Sequence, residues 1–461
     1  MLVPSVSRLL LLLTVLTHHA ASTPSYQPTF QQVSRRQNAP SNNHTAGHWL
    51  AAWASMPQLT EPANLPPPPF NDTIIFANTT IRQTIHVTAE STRIRLRLSN
   101  AFGLTPLPIT AVTIAQPLTN ATSTGAGSPA IDPSTLRTLT FGGGSPGFTI
   151  PNGALAVSDA VDLPVSPGAE LSVSIYLADG QAGGAITSHP GSRTTSWLAR
   201  GDLAAAATLG DAEGAASLAH WYFISALEAW APADAGALAL IGDSITDGRG
   251  STTDGNDRWP DALLARLQAS GDAALARVAP ANQAAGGNRV LADGLGPNAL
   301  GRFDRDVLAL PGVRWALVFE GVNDIGAAAA TPAAQEAIGD ALLGAYRQFV
   351  LRAHAAGLPI FGATITPFSA PGFNASAQPY SSEERERTRQ RVNAWIRESG
   401  WFDAVVDFDA AVRDPEAPTQ LRAEYDSGDY LHLNPEGYKA MADAFPVEAL
   451  KEWAGGVDGW A

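Results

Sequence analysis

The chain has 461 residues, of which 45% are hydrophobic and 16% are charged, and its formal net charge at pH 7 is −14. This composition is typical of a globular protein, and the length allows two hydrophobic cores. The acidic balance argues against a nucleic-acid partner, because Lys and Arg are not in excess to displace counterions from phosphates. The chain contains no cysteine, which excludes disulfides, thiolate metal sites and a cysteine nucleophile.

Residues 1–22 are predicted to be a secretory signal peptide. Arg8 precedes an apolar run over residues 9–16, and small residues follow at 20–22. This run is too short to span a bilayer. Residues 23–47 are rich in Ser, Pro, Gln and Asn, which is typical of a flexible linker. We therefore expect a secreted, extracellular protein without a stable membrane anchor.

Five Asn-X-Ser/Thr sequons accompany this export signal and predict N-glycosylation. Four of them lie in the first 125 residues. The acceptor residues are Asn43, Asn71, Asn78, Asn120 and Asn374.

Residues 48–232 are predicted to form an all-β sandwich or jelly-roll domain. In the stretch TIRQTIHVTAESTRIRLRLSNAF, apolar and polar residues alternate, which places Ile94, Leu96 and Leu98 on one face of a strand. Further short runs, including ITAVTIAQPL and ELSVSIYLA, are separated by Gly, Pro and Asn. Regularly spaced short strands are typical of antiparallel sandwiches and jelly rolls.

Residues 233–461 are predicted to form a doubly wound α/β domain. The apolar runs ALALIGDS, WALVFEGVND, PIFGATITPF and DAVVDFDAAV alternate with helical stretches, which favours a parallel sheet covered on both faces. The longest helical stretch begins near Pro332 and ends near Gly357. Its apolar stripe consists of Ile338, Leu342, Tyr346, Phe349 and Val350.

The first strand of this domain ends in Gly242-Asp243-Ser244, where a hydroxyl replaces the next core residue. In a doubly wound sheet, ligands bind at the carboxyl ends of the strands. Ser244 is predicted to open the following helix, where its oxygen is exposed and the helix dipole favours negative charge. The motif alone leaves two interpretations open, because an ordinary serine N-cap gives the same pattern.

A serine nucleophile needs a base and an orienting carboxylate. His432 follows Asp429 by three residues in SGDYLHLNPEGY, so both side chains can point into one crevice. The other histidine of this domain, His354, lies mid-helix and is more simply a surface or packing residue. A lone D-x-x-H is weak evidence, but it gains weight from the upstream Gly-Asp-Ser.

Two further loops offer hydrogen-bond donors at strand ends. NQAAGGNRV contains Gly287, whose backbone N–H can approach a carbonyl oxygen closely. FEGVNDIG presents the side-chain amide of Asn323. Each loop alone has a simpler interpretation as a turn, whereas all four loops in order favour a hydrolase site.

With these four blocks, the C-terminal half resembles the GDSL or SGNH hydrolases. The resemblance implies a flavodoxin-like SGNH fold and a serine esterase, which is a carboxylic ester hydrolase. It assigns Ser244 as nucleophile with Asp429 and His432 as the remaining dyad, and Ser244, Gly287 and Asn323 as the oxyanion hole. The supporting residues are Asp243, Gly321 and Asp324. Segments such as HWLAAWASMPQ and GRFDRDVLALPGV are similar to a secreted two-domain subgroup with an N-terminal β-domain.

The implied reaction proceeds through an acyl-enzyme and needs no metal or cofactor. The second block departs from the family pattern at Ala284, where Gly is usual, and Leu433 follows the histidine where Pro is common. Neither position carries a catalytic group.

The substrate is the open part of this interpretation. We expect an ester with an acetyl or other short acyl group, with acetylated polysaccharide as the leading candidate partner. The alternatives are a lipase acting on longer acyl chains and a carbohydrate-binding protein that uses tryptophans of the β-domain. An α/β-hydrolase is disfavoured because no G-x-S-x-G surrounds Ser244, and a nucleotide-binding domain because no G-x-G-x-x-G or P-loop follows the first strand. The segment SAPGFNASAQPYSSEER is either a surface loop or a wall of the crevice.

Overall fold

The first half of the chain folds into antiparallel sheets in the computed structural model, which describes residues 46–119 and 124–459. Alternation along the predicted strand is confirmed, because Ile94, Leu96 and Leu98 are all buried. The strands are β1 Gly47–Ala54, β2 Gln58–Leu59, β3 Ile74–Ile75, β4 Thr79–His86, β5 Ser91–Ser99, β6 Leu107–Ile109, β7 Ala111–Ala115, β8 Arg137–Leu139, β9 Phe148–Ile150, β10 Leu155–Val157, β11 Val161–Val165, β12 Glu170–Leu177, β13 Gln181–Ala182, β14 Thr187–His189, β15 Ser196–Arg200, β16 Ala216–Leu218, β17 Trp221–Tyr222 and β18 Ile224–Pro232.

Two larger sheets account for most of this region. One has the strand order β1-β18-β5-β10, with β11 also paired to β5, and the other has the order β16-β15-β4-β12-β7-β8. Strand β4 is buried on both faces, because its polar side is covered by loops. Arg82 on that side donates to Ser174 Oγ at 2.9 Å and to the carbonyl oxygen of Pro129 at 2.7 Å. The predicted all-β architecture is therefore confirmed.

The second half contains a five-stranded parallel sheet. Its strands are β19 Gly236–Gly242, β20 Val278–Asn282, β21 Val313–Phe319, β22 Ile360–Ala363 and β23 Ala404–Val406. The order across the sheet is β20-β19-β21-β22-β23, which is the flavodoxin-like order with a switch point at the first strand. Strand β19 lies between β20 and β21 in the sheet. The loops that follow these three parallel strands therefore lie next to one another at the carboxyl edge of the sheet.

The helices alternate with these strands. They are α1 Ser244–Asp247, α2 Trp259–Ala269, α3 Ala299–Phe303, α4 Val322–Ala327, α5 Pro332–Ala355, α6 Glu383–Glu398, α7 Phe408–Val412, α8 Pro435–Ala444 and α9 Val447–Glu452. Helices α2, α7 and α8 pack together, and α3, α4, α5 and α6 form a second group. The predicted α5 is confirmed, with four members of its stripe buried and Ile338 half-buried.

The all-β region and the α/β region are joined by only three residues between β18 and β19. Contacts group Thr45–Ala461 as one unit, and the backbone N–H of Ala51 in β1 donates to the carbonyl oxygen of Pro311 at 3.0 Å. The domain limits 48–232 and 233–461 remain predictions. The signal peptide and all but the last two residues of the linker lie outside the described residues, and Gly47 already belongs to β1.

No helix in the described part of the chain combines the length and apolar character needed to cross a bilayer. Among the sequon asparagines, Asn71, Asn78 and Asn374 are exposed. Asn43 and Asn120 lie outside the described residues.

Candidate active site

Three predicted residues form a hydrogen-bonded chain at the carboxyl end of the parallel sheet. Ser244 Oγ lies 2.7 Å from His432 Nε2, and His432 Nδ1 lies 2.6 Å from Asp429 Oδ2. When Nδ1–H donates to the carboxylate, Nε2 presents its lone pair to the serine hydroxyl. The arrangement can therefore remove the proton of Ser244.

Asp429 is held in the ionised form by its neighbour. Burial alone would raise the pKa of Asp429, but hydrogen bonds from the ring and backbone N–H of His432 outweigh burial and lower the pKa to about 2. Its Oδ1 accepts from the backbone N–H of His432 at 2.8 Å. An ionised carboxylate in this position orients the imidazole and stabilises positive charge on it.

Ser244 stands at the first position of α1, as predicted, but this helix is a single turn. The next helix, α2, begins only at Trp259. Asp243 caps the turn by accepting from the backbone N–H of Ile245 at 2.9 Å. Burial, reinforced by the carboxylates of Asp324 and Asp247, raises the pKa of Asp243 to about 7. Because α1 is a single turn, its macrodipole is small. The groups that can stabilise negative charge beside Ser244 are therefore individual backbone N–H groups.

Three hydrogen-bond donors are available around Ser244 Oγ. Within the described residues, the backbone N–H groups of Ser244 and Gly287 donate to no protein acceptor. Asn323 donates one amide hydrogen to the carbonyl oxygen of Asn288 at 2.9 Å, which leaves the second hydrogen free. Tyr380 Oη donates to Asn323 Oδ1 at 3.0 Å and fixes the orientation of this amide. Such a set of donors can hold the oxyanion of a tetrahedral intermediate.

Glycine is required at two positions of this donor set. Gly287 has φ = +71°, and a Cβ there would lie 2.5 Å from Leu295 Cδ1. Gly321 has φ = +117°, and a Cβ there would lie 2.7 Å from Tyr346 Oη. Gly321 precedes α4 and so sets the direction in which Asn323 projects.

The loop that carries Gly287 is anchored by side chains from three other segments. Asp324 accepts from the backbone N–H groups of Val290 at 2.8 Å and Leu291 at 3.0 Å. Burial raises the pKa of Asp324 above its ordinary value, although both of these hydrogen bonds favour its charged form. Asp247 Oδ2 accepts from the backbone N–H of Gly286 at 3.0 Å.

The third anchor, Arg302, is a residue that the sequence analysis did not single out. Its Nε lies 3.0 Å from Asn288 Oδ1, and its Nη2 lies 3.4 Å from the carbonyl oxygen of Gly242. Its Nη2 also lies 3.5 Å from Glu320 Oε1, with both side chains fully buried. Arg302 thereby connects the ends of β19 and β21 to the Gly287 loop. The only sequence signal is its place in GRFDRDVLALPGV.

With this geometry in place, comparison with known proteins identifies the domain. Residues 240–440 match the family described as "GDSL-like Lipase/Acylhydrolase family". This segment is a GDSL-like acylhydrolase domain. The family predicted from the four blocks is confirmed.

Solved structures similar to the chain share little sequence with it. A GDSL-like lipase from Bacteroides thetaiotaomicron VPI-5482 is 16% identical, covers 47% of this chain and 88% of its own, and has a TM-score of 0.33. A variant of an acetyl xylan esterase from Geobacillus stearothermophilus is 23% identical, with 48% and 96% covered and a TM-score of 0.34. An α/β hydrolase from the metagenome of Lake Arreo is 22% identical, with 48% and 95% covered and a TM-score of 0.33. No curated protein matched the chain.

The all-β region touches the GDSL domain directly behind Ser244. His189 of β14 places Nε2 2.8 Å from Asp247 Oδ1 and Nδ1 2.9 Å from the carbonyl oxygen of Met56. Asp247 uses its other oxygen to hold Gly286, so His189 supports the Gly287 loop through one intermediate carboxylate. This contact joins residues 58 positions apart, and no local pattern indicates it.

We expect His189→Gln to lower kcat roughly two- to tenfold, because losing a typical hydrogen bond costs about 0.5–1.5 kcal/mol. The effect should fall on kcat rather than KM, since the Gly287 N–H is predicted to donate to an oxyanion that forms only during reaction. Steady-state kinetics on 4-nitrophenyl acetate measure this split. His48→Gln, a histidine of β1 outside the cleft, is the matched control, and an equal loss in both variants would contradict the role of His189.

A cleft of about 410 Å³ opens over Ser244. The GDSL domain contributes one side of it, including Leu295, Tyr380 and Leu431. The all-β region supplies the other side, with Gln58, Glu61, Asn64, Pro190, Gly191 and Arg193. The segment around Tyr380, for which the sequence left two interpretations open, is thus part of the cleft wall. The prediction of a separate β-domain did not anticipate that this region would border the candidate site.

Other residues weighed in the sequence analysis lie away from this cleft. His354 is buried, with Nε2 3.0 Å from Asp403 Oδ2, as a packing residue would be. Trp53 is buried, and Trp49 and Trp197 are half-buried. Neither His354 nor any of the three tryptophans belongs to the described residues that line the cleft.

Proposed function

We propose that this protein is a serine ester hydrolase that acts through an acyl-enzyme formed on Ser244. The observation that carries the proposal is the continuous hydrogen-bonded chain from Ser244 Oγ through His432 to Asp429. A serine, a base and an orienting carboxylate that are hydrogen-bonded in this order are the components of nucleophilic ester cleavage.

In the proposed reaction, His432 takes the proton of Ser244 while Ser244 Oγ attacks the acyl carbon. The backbone N–H groups of Ser244 and Gly287 and the amide of Asn323 hold the oxyanion. His432 then gives its proton to the leaving alcohol, and the acyl group stays on Ser244. Water, deprotonated by His432, releases the acid and restores the serine.

The acyl group is proposed to be acetyl or another short chain. The cleft wall from the all-β region is polar, and Leu295 and Leu431 are the large aliphatic side chains beside Ser244. A long acyl chain requires a continuous apolar surface to replace its contact with water. A polar wall instead suits the hydroxyl groups of a carbohydrate, so the alcohol portion is proposed to be a sugar, such as an acetylated polysaccharide.

The cellular setting is proposed from the sequence. The signal-like residues 1–22 and the sequons favour a secreted glycoprotein. Exposure of Asn71, Asn78 and Asn374 makes these three asparagines accessible to glycosylation.

The proposal is tested by acid release from 4-nitrophenyl esters of C2 through C16 acids and from acetylated polysaccharides. We expect the highest kcat/KM at C2 to C4, because Leu295 and Leu431 are the only large aliphatic side chains among the described residues that line the cleft. An optimum at C12 to C16 would assign a lipase instead. An enzyme inert on every ester would overturn the esterase proposal.

A further inference from the structure

Arg193 in the cleft wall has no counter-charge. Among the described residues, no carboxylate lies within ion-pair distance of its guanidinium group, and its Nε is buried without a hydrogen-bond partner. Buried arginines of the described chain do have acceptors: Arg302 lies 3.5 Å from Glu320, Arg389 lies 2.5 Å from Asp409, and Arg82 donates to Ser174 Oγ and to backbone carbonyl oxygens. A buried donor without an acceptor destabilises the fold, so Arg193 calls for an explanation.

The backbone of Arg193 is also in an unfavourable conformation. Its φ is +49°, in the left-handed region that favours glycine. The carbonyl oxygen of Arg193 accepts from the backbone N–H of Asp254 at 2.9 Å, and Asp254 Oδ1 accepts from the backbone N–H of Thr195 at 2.7 Å. Arg258 donates to the carbonyl oxygen of Ser192. The segment between α1 and α2 therefore imposes this conformation, and such strain is concentrated at functional sites.

A second arginine lines the same cleft. The Arg249 side chain is 62% exposed, and its Nε lies 4.0 Å from Asp429 Oδ2, at the limit of an ion pair. It follows α1 directly and so lies close to the catalytic residues. The two arginines come from different regions of the chain and meet at one cleft.

The carboxylates of the cleft are already engaged. Glu61 Oε1 accepts from Gln58 Nε2 at 2.6 Å, and Glu61 Oε2 accepts from Asn64 Nδ2 at 3.0 Å. Asp247 bonds to a histidine, as does Asp429. Within the described part of a chain of net charge −14, Arg193 is thus a cleft arginine without a carboxylate at ion-pair distance, whereas Arg249 lies at the limit of that distance from Asp429.

We propose that Arg193, assisted by Arg249, binds a carboxylate on the alcohol portion of the ester, so that the substrate is an acylated acidic carbohydrate. A planar guanidinium group pairs with a carboxylate through two parallel hydrogen bonds. The nearby Glu61 disfavours a phosphate, which carries more negative charge than a carboxylate. Gln58 and Asn64 border the same wall and can contact sugar hydroxyls. This inference rests on the proposed esterase activity and specifies its substrate.

The test compares acetate release from two substrates that differ in charge and carry the same esters: acetylated oligogalacturonate and the same oligomer with its carboxyl groups converted to primary amides. We expect the wild-type kcat/KM to be roughly 10- to 100-fold higher on the acidic oligomer, as expected for one charged hydrogen-bonded pair. Added salt should reduce this ratio, because the pair lies in an open cleft.

Arg193→Gly is the decisive variant. It removes the guanidinium group and relieves the left-handed backbone, so its Tm should equal or exceed that of the wild type. We expect the acidic-to-neutral ratio to fall toward one, with a partial loss in Arg193→Lys, which keeps the charge but not the planar fork. Arg249→Gln is a second, independent variant and should also lower the ratio. Arg137→Gln makes the same charge change on the all-β region outside the cleft and should leave the ratio unchanged.

Equal turnover of both oligomers by the wild type, or an unchanged ratio in Arg193→Gly, would overturn the carboxylate site while leaving the esterase intact. Activity on 4-nitrophenyl acetate separates the two levels. If the wild type hydrolyses neither oligomer nor 4-nitrophenyl acetate, the proposed esterase function itself fails, and the carboxylate site fails with it.

Discussion

Replacing Ser244 with alanine should lower kcat for ester hydrolysis by roughly 10⁴- to 10⁶-fold. The substitution removes the atom that His432 Nε2 contacts at 2.7 Å, and no other hydroxyl occupies that position in the hydrogen-bonded chain. The residual rate should come from the backbone donors and Asn323, which still stabilise an oxyanion formed by water attack. The measurement is 4-nitrophenyl acetate hydrolysis, together with the mass shift on labelling with a fluorophosphonate.

The matched control is Ser251→Ala, because Ser251 lies in the turn just after α1 and donates to the carbonyl oxygen of Gly248. It should retain activity and label as the wild type does. The double variant Ser244→Ala/His432→Ala should lose no more than Ser244→Ala alone, since both residues serve one step. Activity of Ser244→Ala within tenfold of the wild type would rule out Ser244 as the nucleophile.

Replacing Arg302 with methionine should lower the free energy of unfolding by about 3–5 kcal/mol, the usual cost of leaving a buried charge without its partner. Arg302 is 1% exposed and lies between Asp306 at 3.2 Å and Glu320 at 3.5 Å. Methionine replaces the aliphatic part of the arginine side chain, so the packing of that part is kept while the guanidinium group and its charge are lost. Urea unfolding monitored by tryptophan fluorescence gives the free energy, and kcat should fall as well because Asn288 loses its anchor.

This loss should depend on pH. Burial, reinforced by the charge of Asp243, raises the pKa of Glu320 well above its ordinary value. For a carboxyl group with a raised pKa in the folded state, the stabilising contribution is present below its unfolded pKa and is lost as the pH rises through its folded pKa. Arg302→Met removes the cation that favours ionised Glu320. The decrease in the free energy of unfolding caused by this substitution should therefore be smaller at pH 5 than at pH 8.

Arg305→Met serves as the control for Arg302→Met. Arg305 also pairs with Asp306, at 2.6 Å, but its side chain is 32% exposed. Arg305→Met should lower the free energy of unfolding by no more than about 1 kcal/mol, because exposed ion pairs contribute little to stability. Equal destabilisation of the two variants would contradict a special role for the buried arginine.

Much of the site follows from local sequence because its parts are close along the chain. Asp429 and His432 are three residues apart, so one loop brings both side chains together. Ser244, Gly287 and Asn323 follow consecutive parallel strands, whose carboxyl ends meet at one edge of the sheet. Strand periodicity therefore predicted the α/β fold class, and the polar residues after the strands, together with the resemblance to the GDSL or SGNH hydrolases, predicted the candidate catalytic and oxyanion residues.

The segment after α1 illustrates where local signals end. Gly248, in the left-handed conformation, ends α1 at Asp247, as a C-terminal glycine does. The chain then packs against the all-β region through Arg258 and Asp254. Tertiary contacts decide the course of this segment, because local sequence patterns do not report which distant residues a loop will contact.

The catalytic chemistry proposed here follows from the four sequence blocks and their family resemblance, whereas the surroundings of the site depend on non-local packing. Arg302, His189 and Tyr380 reach the site through contacts between distant segments, such as the 57 residues that separate Tyr380 from Asn323. Arg193 lies beside Ser244 only because the all-β region packs against the α1 turn. Periodicity reports which face of an element is buried, but not which element covers that face. Non-local packing is therefore what defines the walls of this cleft.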